Sequence, residues 1–194
     1  MKLFCPIVEG HGEVGAVPAL IYRIADHFKS TEQILVNNPL RVRADKFLHD
    51  SNEFRRFVAL AGAKAAEAAG TVLILLDCED YCPAALGPQL LQRAAAIRND
   101  VPFLVVLAHR EFESWFLTAA ESLRGVGGLP DDLDAPPDPE AIRGAKEWLG
   151  RRLPNGYDPI RHQLMLTRQF DIAAARSSYS FNRLVDRIGA VLVG

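Results

Sequence analysis

The stretch VLILLDCED, residues 72–80, carries the clearest signal for the fold. Its five consecutive apolar residues, 72–76, are followed at once by acidic ones. A continuous apolar run rich in β-branched residues predicts a strand that is buried on both faces, as in a parallel sheet. The other strand candidates are residues 3–8 and 103–107, which have the same character, and the weaker segment 34–36, with 41–42 as its alternative.

Segments with helical periodicity separate these apolar runs. They cover residues 14–28, 52–69 and 88–97, with Ser51 as the predicted N-cap of the second helix and Gly70 as its stop. Strands that alternate with helices predict right-handed βαβ units. We therefore expect an α/β, Rossmann-like fold with a mainly parallel four-stranded sheet flanked by helices.

The second part of the chain has helical signals only. They lie at residues 111–123, 139–149, 159–170 and 180–192. A stretch rich in Gly, Pro and Asp, GVGGLPDDLDAPPDP at 125–139, interrupts the pattern and resembles a linker. The organisation that we predict is an α/β domain at 1–124, a loop at 125–139, and a helical extension at 140–194 packed on the same domain.

Composition restricts the class of protein. The chain has 194 residues, of which 49% are apolar, so a single domain with a sizeable core is expected. A formal charge of −2 shows no large basic field for nucleic acid, so such a partner would need a local basic patch or bridging metal ions. The 3 cysteines lack paired spacing, which favours a reducing compartment, and no apolar run approaches the ~20 residues of a membrane span. We expect a cytoplasmic protein without membrane contact.

Acidic residues follow three of the predicted strands. Ligands of open parallel sheets bind at the carboxyl ends of the strands, where these residues lie. So many carboxylates in one place repel one another unless cations lie between them. Oxygen ligands select Mg²⁺, Mn²⁺ or Ca²⁺ over zinc, so the sequence predicts a metal site of that kind. The residues concerned are Glu9, Glu13, Asp77, Glu79, Asp80, Glu111 and Glu113.

Spacing supports this metal site. Asp77 and Glu79, two apart on an extended segment, would point the same way and share one ion. Glu9 and Glu13 would come together if Glu13 lies in the first turn of the following helix. The structural alternatives are an acidic loop that caps the next helix, and ordinary first-turn residues at a helix start.

Several residues near the acidic ones are candidates for phosphate binding. Gly10 and Gly12 would let the turn after the first strand pass close to a phosphate, next to a helix N-terminus. Arg110 and Arg176 would steady phosphate groups by charge. For arginines on predicted helices the alternative is a solvated helix face.

The motif Val8-Glu9-Gly10-x-Gly12-Glu13, followed later by LLDCED at 75–80, resembles the TOPRIM domain of topoisomerases, primases and OLD-type nucleases. The resemblance covers roughly residues 1–115. It implies that Glu9 acts as general acid or base and that Asp77 and Glu79 bind Mg²⁺. It also implies that Glu13 contributes to a second metal, as in OLD-type nucleases.

The whole chain resembles small bacterial stand-alone TOPRIM-like proteins, some of which are encoded beside ATPases in phage-defence-like loci. In that group Glu113 would be a further acidic ligand, and we count Asp80 with the metal ligands as well. The implied mechanism is an in-line displacement at phosphorus between two Mg²⁺ ions. No tyrosine-bearing strand-passage domain is recognisable, so topoisomerase activity is not expected.

The resulting functional hypothesis is Mg²⁺-dependent cleavage of nucleic acid, DNA more than RNA, or phosphoryl transfer, with Mn²⁺ as a possible substitute ion and an ATPase as a possible partner. The alternative is a non-catalytic TOPRIM-like module that binds an ATPase or a nucleotide-like ligand, which the acidic composition favours. A third hypothesis, with Asp77 as a phosphoryl acceptor, ranks last because the chain lacks a convincing downstream lysine and threonine pattern.

Overall fold

The computed structural model describes residues 1–193. Its strands are interspersed with helices as far as β5, after which only helices follow among the described residues. The strands are β1 (Lys2–Val8), β2 (Ile34–Val36), β3 (Leu40–Arg41), β4 (Thr71–Asp77) and β5 (Phe103–Ala108). The helices are α1 (Glu13–His27), α2 (Ala44–His49), α3 (Ser51–Ala66), α4 (Pro83–Ile97), α5 (Ser114–Thr118), α6 (Ala145–Gly150), α7 (Pro159–Thr167), α8 (Ile172–Ala175) and α9 (Tyr179–Val193), with short 3₁₀ turns at Ala120–Leu123, Val126–Gly128 and Pro139–Ala141.

All strand pairs of the sheet are parallel. The strands lie in the order β2-β1-β4-β5, and β3 pairs with the end of β1 beyond β2. In the register, Ile7 lies beside Ile74, which in turn lies beside Val105. The predicted α/β class and parallel sheet are confirmed. The weak candidate at 34–36 is β2, and its alternative at 41–42 overlaps the two-residue strand β3 at 40–41, so the sheet has five strands where four were expected.

The central strands are buried on both faces, as their continuous apolar runs predict. Phe4 and Leu73 point into one core, and Ile7 and Ile74 point into the other. The first core is closed by α1 and by the helices that follow β5, whereas the second is closed by α2, α3 and α4. The sheet is therefore the middle layer of three.

Two details at the ends of α3 differ from the prediction. The N-cap is Asp50, whose carboxylate accepts hydrogen bonds from the N–H groups of Asn52 and Glu53, and not Ser51. The left-handed residue after the helix is Ala69, at φ 48°, and Gly70 comes one position later. The chain turns at Ala69 because the Gly70 N–H returns to the Ala65 carbonyl.

Other helix boundaries also moved. Helix α4 begins at Pro83, five residues before the predicted start, because a proline fits the first turn of a helix. The predicted helix at 139–149 is broken at Gly144, which has φ 76°, and continues as α6. The predicted helix at 111–123 is shorter and ends in a 3₁₀ turn, while α2 and α8 were not predicted at all. Short elements of this kind owe their shape to tertiary packing more than to local preference.

The Gly, Pro and Asp-rich stretch is packed against the rest of the molecule. Leu129 and Leu133 are both 3% exposed and belong to the core beneath α1. Within residues 1–193, no helix combines the length and the apolar character that are needed to cross a bilayer.

Candidate active site

The carboxyl ends of β1, β4 and β5 lie side by side because the strands are parallel and adjacent. Glu9 follows β1, Asp77 is the last residue of β4, and Glu111 and Glu113 follow β5. Acidic residues from three separate parts of the sequence thus line one cleft. Its lining consists of Glu9, Gly10, His11, Glu13, Asp77, Glu79, Asp80, Arg110, Glu111, Glu113, Arg143, Gly144, Lys146, Asp158, Pro159, Ile160 and Gln163.

Asp77 occupies the centre of this cleft. Its Oδ1 accepts a hydrogen bond of 2.7 Å from the Phe112 backbone N–H. Its Oδ2 lies 3.4 Å from Nζ of Lys146. The side chain is 10% exposed. The backbone after β5 therefore holds Asp77 in one orientation.

Glu13 closes the turn between β1 and α1. Its Oε2 accepts a 3.0 Å hydrogen bond from the N–H of Glu9, and the N–H of Gly10 also stabilises its charged form. It is the first residue of α1, as the sequence suggested, and it is buried. Glu9 itself is only half-buried and faces the cleft.

The turn after β4 differs from the prediction. Glu79 has φ 45° and Arg110, on the neighbouring strand end, has φ 61°. The Glu79 N–H donates to the Arg110 carbonyl at 3.0 Å, which ties the two turns together. Left-handed backbone at residues other than glycine is strained and concentrates at functional sites. The prediction that residues 77–79 are extended is wrong, although Glu79 still reaches the cleft as an exposed residue.

Glu113 is the most deeply buried acid of the cleft, with no exposed side-chain surface. Its Oε1 accepts hydrogen bonds from the Tyr157 hydroxyl at 2.9 Å and from Nε2 of Gln163 at 3.2 Å. Its Oε2 accepts no hydrogen bond among the described residues. The nearest positive charge is Nζ of Lys146, at 3.5 Å.

Lys146, on α6, reaches into the cleft from the part of the chain after β5. Its Nζ lies 3.4 Å from Asp77, 3.5 Å from Glu113 and 3.8 Å from Glu111. Burial alone would lower the pKa of Lys146, but the three carboxylates outweigh burial and raise it. The amine is therefore charged throughout the neutral range.

The acids of the cleft are difficult to ionise. Burial raises the pKa of Glu9 to about 7, and the negative charges of Asp77 and Glu79 add to the effect. Burial raises the pKa of Glu13 to about 8, again with a contribution from Asp77. Burial contributes most to these shifts and the neighbouring carboxylates add to it, a combination that is common at functional sites.

Asp77 and Glu113 show the same behaviour. Burial raises the pKa of Asp77 to about 6, although Lys146 acts in the opposite direction. Burial raises the pKa of Glu113 to about 7, against the same opposing charge. One ammonium therefore does not balance the carboxylates around it.

The carboxylates are not arranged as a finished metal site. Within residues 1–193 no three His, Cys, Asp or Glu side chains are placed so that they could hold one ion together. Glu13 is hydrogen-bonded to backbone N–H groups, which hold its carboxylate at the turn after β1. Lys146 lies among the acids at the ends of β4 and β5, where an ion would otherwise bind. Glu79 accepts no hydrogen bond through its side chain in the described part of the chain, so its carboxylate is free to turn.

The rim of the cleft carries the opposite charge. Asp80 lies 2.8 Å from Nη1 of Arg143 and 3.9 Å from Nη1 of Arg110. The Asp80 and Arg143 side chains are 76% and 71% exposed. The structure thus places Asp80 at the rim, in ion pairs, and not beside Asp77.

The remaining phosphate-binding candidates are placed as follows. Arg110 lines the rim. Gly12 is buried, and a side chain there would overlap Gln163 and the Pro159 carbonyl, so packing against α7 already explains a glycine. Arg176 does not line the cleft, because its guanidinium pairs with Asp186 at 2.6 Å.

The residues that escaped the sequence analysis include Arg143, Lys146 and Gln163, which line the cleft, and Tyr157, which donates to Glu113 beneath it. Arg143 and Lys146 lie in a segment that resembles any charged helix, and Tyr157 and Gln163 lie far from the acidic motifs in sequence. No local pattern distinguishes them, because they reach the site through the packing of the helices after β5.

A comparison with known protein families gives one match. The model of the family described as "Domain of unknown function (DUF4276)" matches residues 8–189. The chain belongs to the DUF4276 family. The matched range contains every residue that lines the cleft, so the DUF4276 domain includes the whole candidate site. Searches of curated proteins and of solved structures found no match.

Proposed function

We propose that this protein is a metal-dependent enzyme that cleaves phosphodiester bonds of nucleic acid, with Mg²⁺ or Mn²⁺ bound in the cleft at the ends of β1, β4 and β5. The observation that carries the proposal is the excess of negative charge in that cleft. Four acids there have a raised pKa in spite of Lys146. A divalent cation would remove this excess, and oxygen ligands favour the hard ions.

The carboxylate oxygens of the cleft suit such an ion once the Glu79 side chain turns towards it, since within residues 1–193 no three acids already converge on one point. Glu9, Asp77 and Glu79 offer carboxylate oxygens from two adjacent strand ends. The three acids line the same part of the cleft, and the charges of Asp77 and Glu79 raise the pKa of Glu9. When bound, a divalent ion would supply positive charge next to the phosphate oxygens.

The chain's own side chains would supply the rest of the chemistry. Because the pKa of Glu9 is about 7, this group can both accept and release a proton at neutral pH. Arg110 and Arg143 at the rim can bind phosphates of the nucleic-acid strand once their ion pairs with Asp80 break. This local basic patch supports a polyanionic substrate in spite of the acidic composition.

The resemblance to TOPRIM domains supports the same function. Glu9 follows β1 and Asp77 ends the adjacent strand β4, so the two motifs of the resemblance meet at one edge of the sheet. From this resemblance we further propose DNA in preference to RNA as the substrate and an ATPase as a partner.

The test is cleavage of plasmid and linear DNA by the full chain in Mg²⁺, Mn²⁺ or EDTA, with and without a candidate ATPase. The variant Asp77→Asn, Glu79→Gln keeps an acceptor for the Phe112 N–H and removes two charges. We expect it to lose at least about 100-fold in rate. The matched control, Asp45→Asn, Glu53→Gln, removes one exposed and one partly buried charge on α2 and α3, outside the cleft lining, and is expected to retain the rate. A folded Asp77→Asn, Glu79→Gln variant with full metal-dependent cleavage would contradict the proposal.

A binding module is the second candidate function. The observation that favours it is the position of Lys146, which partly neutralises the acids without any metal. Under this hypothesis the protein binds no Mn²⁺, with or without DNA, and its binding to an ATPase survives alanine at Glu9, Glu13, Asp77 and Glu79. Mn²⁺ binding that depends on Asp77 would count against it.

A further inference from the structure

The cleft holds two groups of carboxylates that share Asp77. Glu9 and Glu79 belong to the first group, since they line the same part of the cleft as Asp77. Glu111 and Glu113 belong to the second group, since both lie within 3.8 Å of the Lys146 ammonium. Two groups of acids around a shared aspartate call for two positive charges.

The position of Lys146 supplies one of these charges. An ammonium has three N–H donors, and Nζ has three carboxylates within 3.8 Å, those of Asp77, Glu111 and Glu113. A cation that bridges Asp77 and Glu113 would have to occupy this same place.

The backbone of Lys146 is held firmly. Its N–H donates to Oε2 of Glu111 at 3.2 Å. Its neighbours on α6, Ala145 and Trp148, are buried in the core beneath α1. The packing of α6 therefore fixes the position from which the Lys146 ammonium reaches the cleft.

Glu113 independently indicates that a cation belongs at this place. The side chain is completely buried, Oε1 is satisfied by Tyr157 and Gln163, and Oε2 accepts no hydrogen bond. A buried carboxylate oxygen without a donor is destabilising unless a positive charge lies beside it. Lys146 provides that charge.

We infer that Lys146 is the permanent second cation of the cleft, so that the protein binds one divalent ion, at Glu9, Asp77 and Glu79, and not a pair. This inference rests on the proposed function, because it concerns the same carboxylates. It replaces the two-ion arrangement that the TOPRIM resemblance implies with one ion and one ammonium.

The test is a count of bound Mn²⁺ per chain by equilibrium dialysis of the full-length protein. We expect one ion for the natural sequence. We expect two for Lys146→Met, which keeps the length of the side chain and vacates the place between Asp77 and Glu113. The control Lys64→Met, on α3, removes one charge away from the cleft and is expected to bind one ion.

A second variant covers the case in which Lys146→Met does not fold. The double variant Lys146→Met, Glu113→Gln makes both members of the buried pair neutral. We expect it to bind one ion, because the place between Asp77 and Glu113 has then lost a carboxylate ligand. Two ions in the natural sequence, one ion in a folded Lys146→Met variant, or two ions in the double variant would overturn the inference and leave the proposed function intact. No ion in the natural sequence, with or without DNA, would overturn both.

Discussion

Tyr157 is a single residue on which the buried Glu113 depends. Its hydroxyl donates a 2.9 Å hydrogen bond to Oε1, deep beneath the cleft. Tyr157→Phe leaves that oxygen with one donor fewer, and hydrogen bonds to charged groups contribute about 1.5–3 kcal/mol. We expect the free energy of unfolding at pH 8 to fall by that amount in urea titrations. Tyr22→Phe, at a 43% exposed tyrosine on α1, is the control and should change it by less than about 0.5 kcal/mol.

The raised pKa values of single acids predict how stability depends on pH. Glu13 has a pKa of about 8 in the folded protein against 4.5 ordinarily, so between these values the folded state binds more protons than the unfolded state. The free energy of unfolding must then decrease as the pH rises through that window. The pKa values of Glu9, Asp77 and Glu113 are also raised, so these acids likewise lower the free energy of unfolding as the pH rises.

We therefore expect the melting temperature in EDTA to fall between pH 5 and pH 8. Glu13→Gln keeps an acceptor for the turn and should make this decrease smaller. A melting temperature that rises across the same range in EDTA would contradict the raised pKa values of these acids.

At the scale of elements, the close packing of α1 against α7 depends on a glycine. A methyl group at Gly12 would overlap Gln163 and the Pro159 carbonyl at the start of α7. Backbone does not move aside as a flexible side chain does, so we expect Gly12→Ala to destabilise the protein by about 1–3 kcal/mol or more. The measurement is urea unfolding followed by circular dichroism.

Gly87 is a matched control for Gly12. It lies inside α4, and a methyl group there would meet nothing within 4 Å. Alanine is favoured over glycine inside a helix, but its methyl group would approach the ring of Pro88, so Gly87→Ala should change the free energy of unfolding by less than about 1 kcal/mol. Equal effects of the two substitutions would show that the overlap at Gly12 is relieved at no cost.

For the whole molecule, the helices after β5 are part of the core and not an appendage. Phe116 of α5, Phe170 and Phe181 form a continuous aromatic cluster, with ring centroids 5.5 and 5.4 Å apart. Leu166 and Ile188 are fully buried in the same core. The layer that covers one face of the sheet thus comes from the C-terminal part of the chain.

We accordingly expect the fragment 1–124 to lack a cooperative thermal transition, because one face of its sheet would be exposed. Adding the fragment 125–194 should restore the transition if the two pieces assemble. A sharp transition in the fragment 1–124 alone would show that it is an independent domain.

The sequence predicted the local features of the fold well. The apolar runs at 72–76 and 103–107 are strands β4 and β5, because a strand buried on both faces needs apolar residues at consecutive positions. It predicted the boundaries less well. The break at Gly144 and the turn at Ala69 are left-handed backbone conformations, which the periodicity of apolar residues does not specify.

By itself, the sequence determined the α/β class, the parallel sheet and the acidic residues at its strand ends, because strand type and strand ends are properties of short segments. Only the tertiary structure decided what surrounds those acids. Lys146, Tyr157 and Gln163 meet Glu113 across separations of 33 to 50 residues, through helices that pack on one face of the sheet. Such long-range contacts are set by the burial of that face as a whole, and no short motif encodes them.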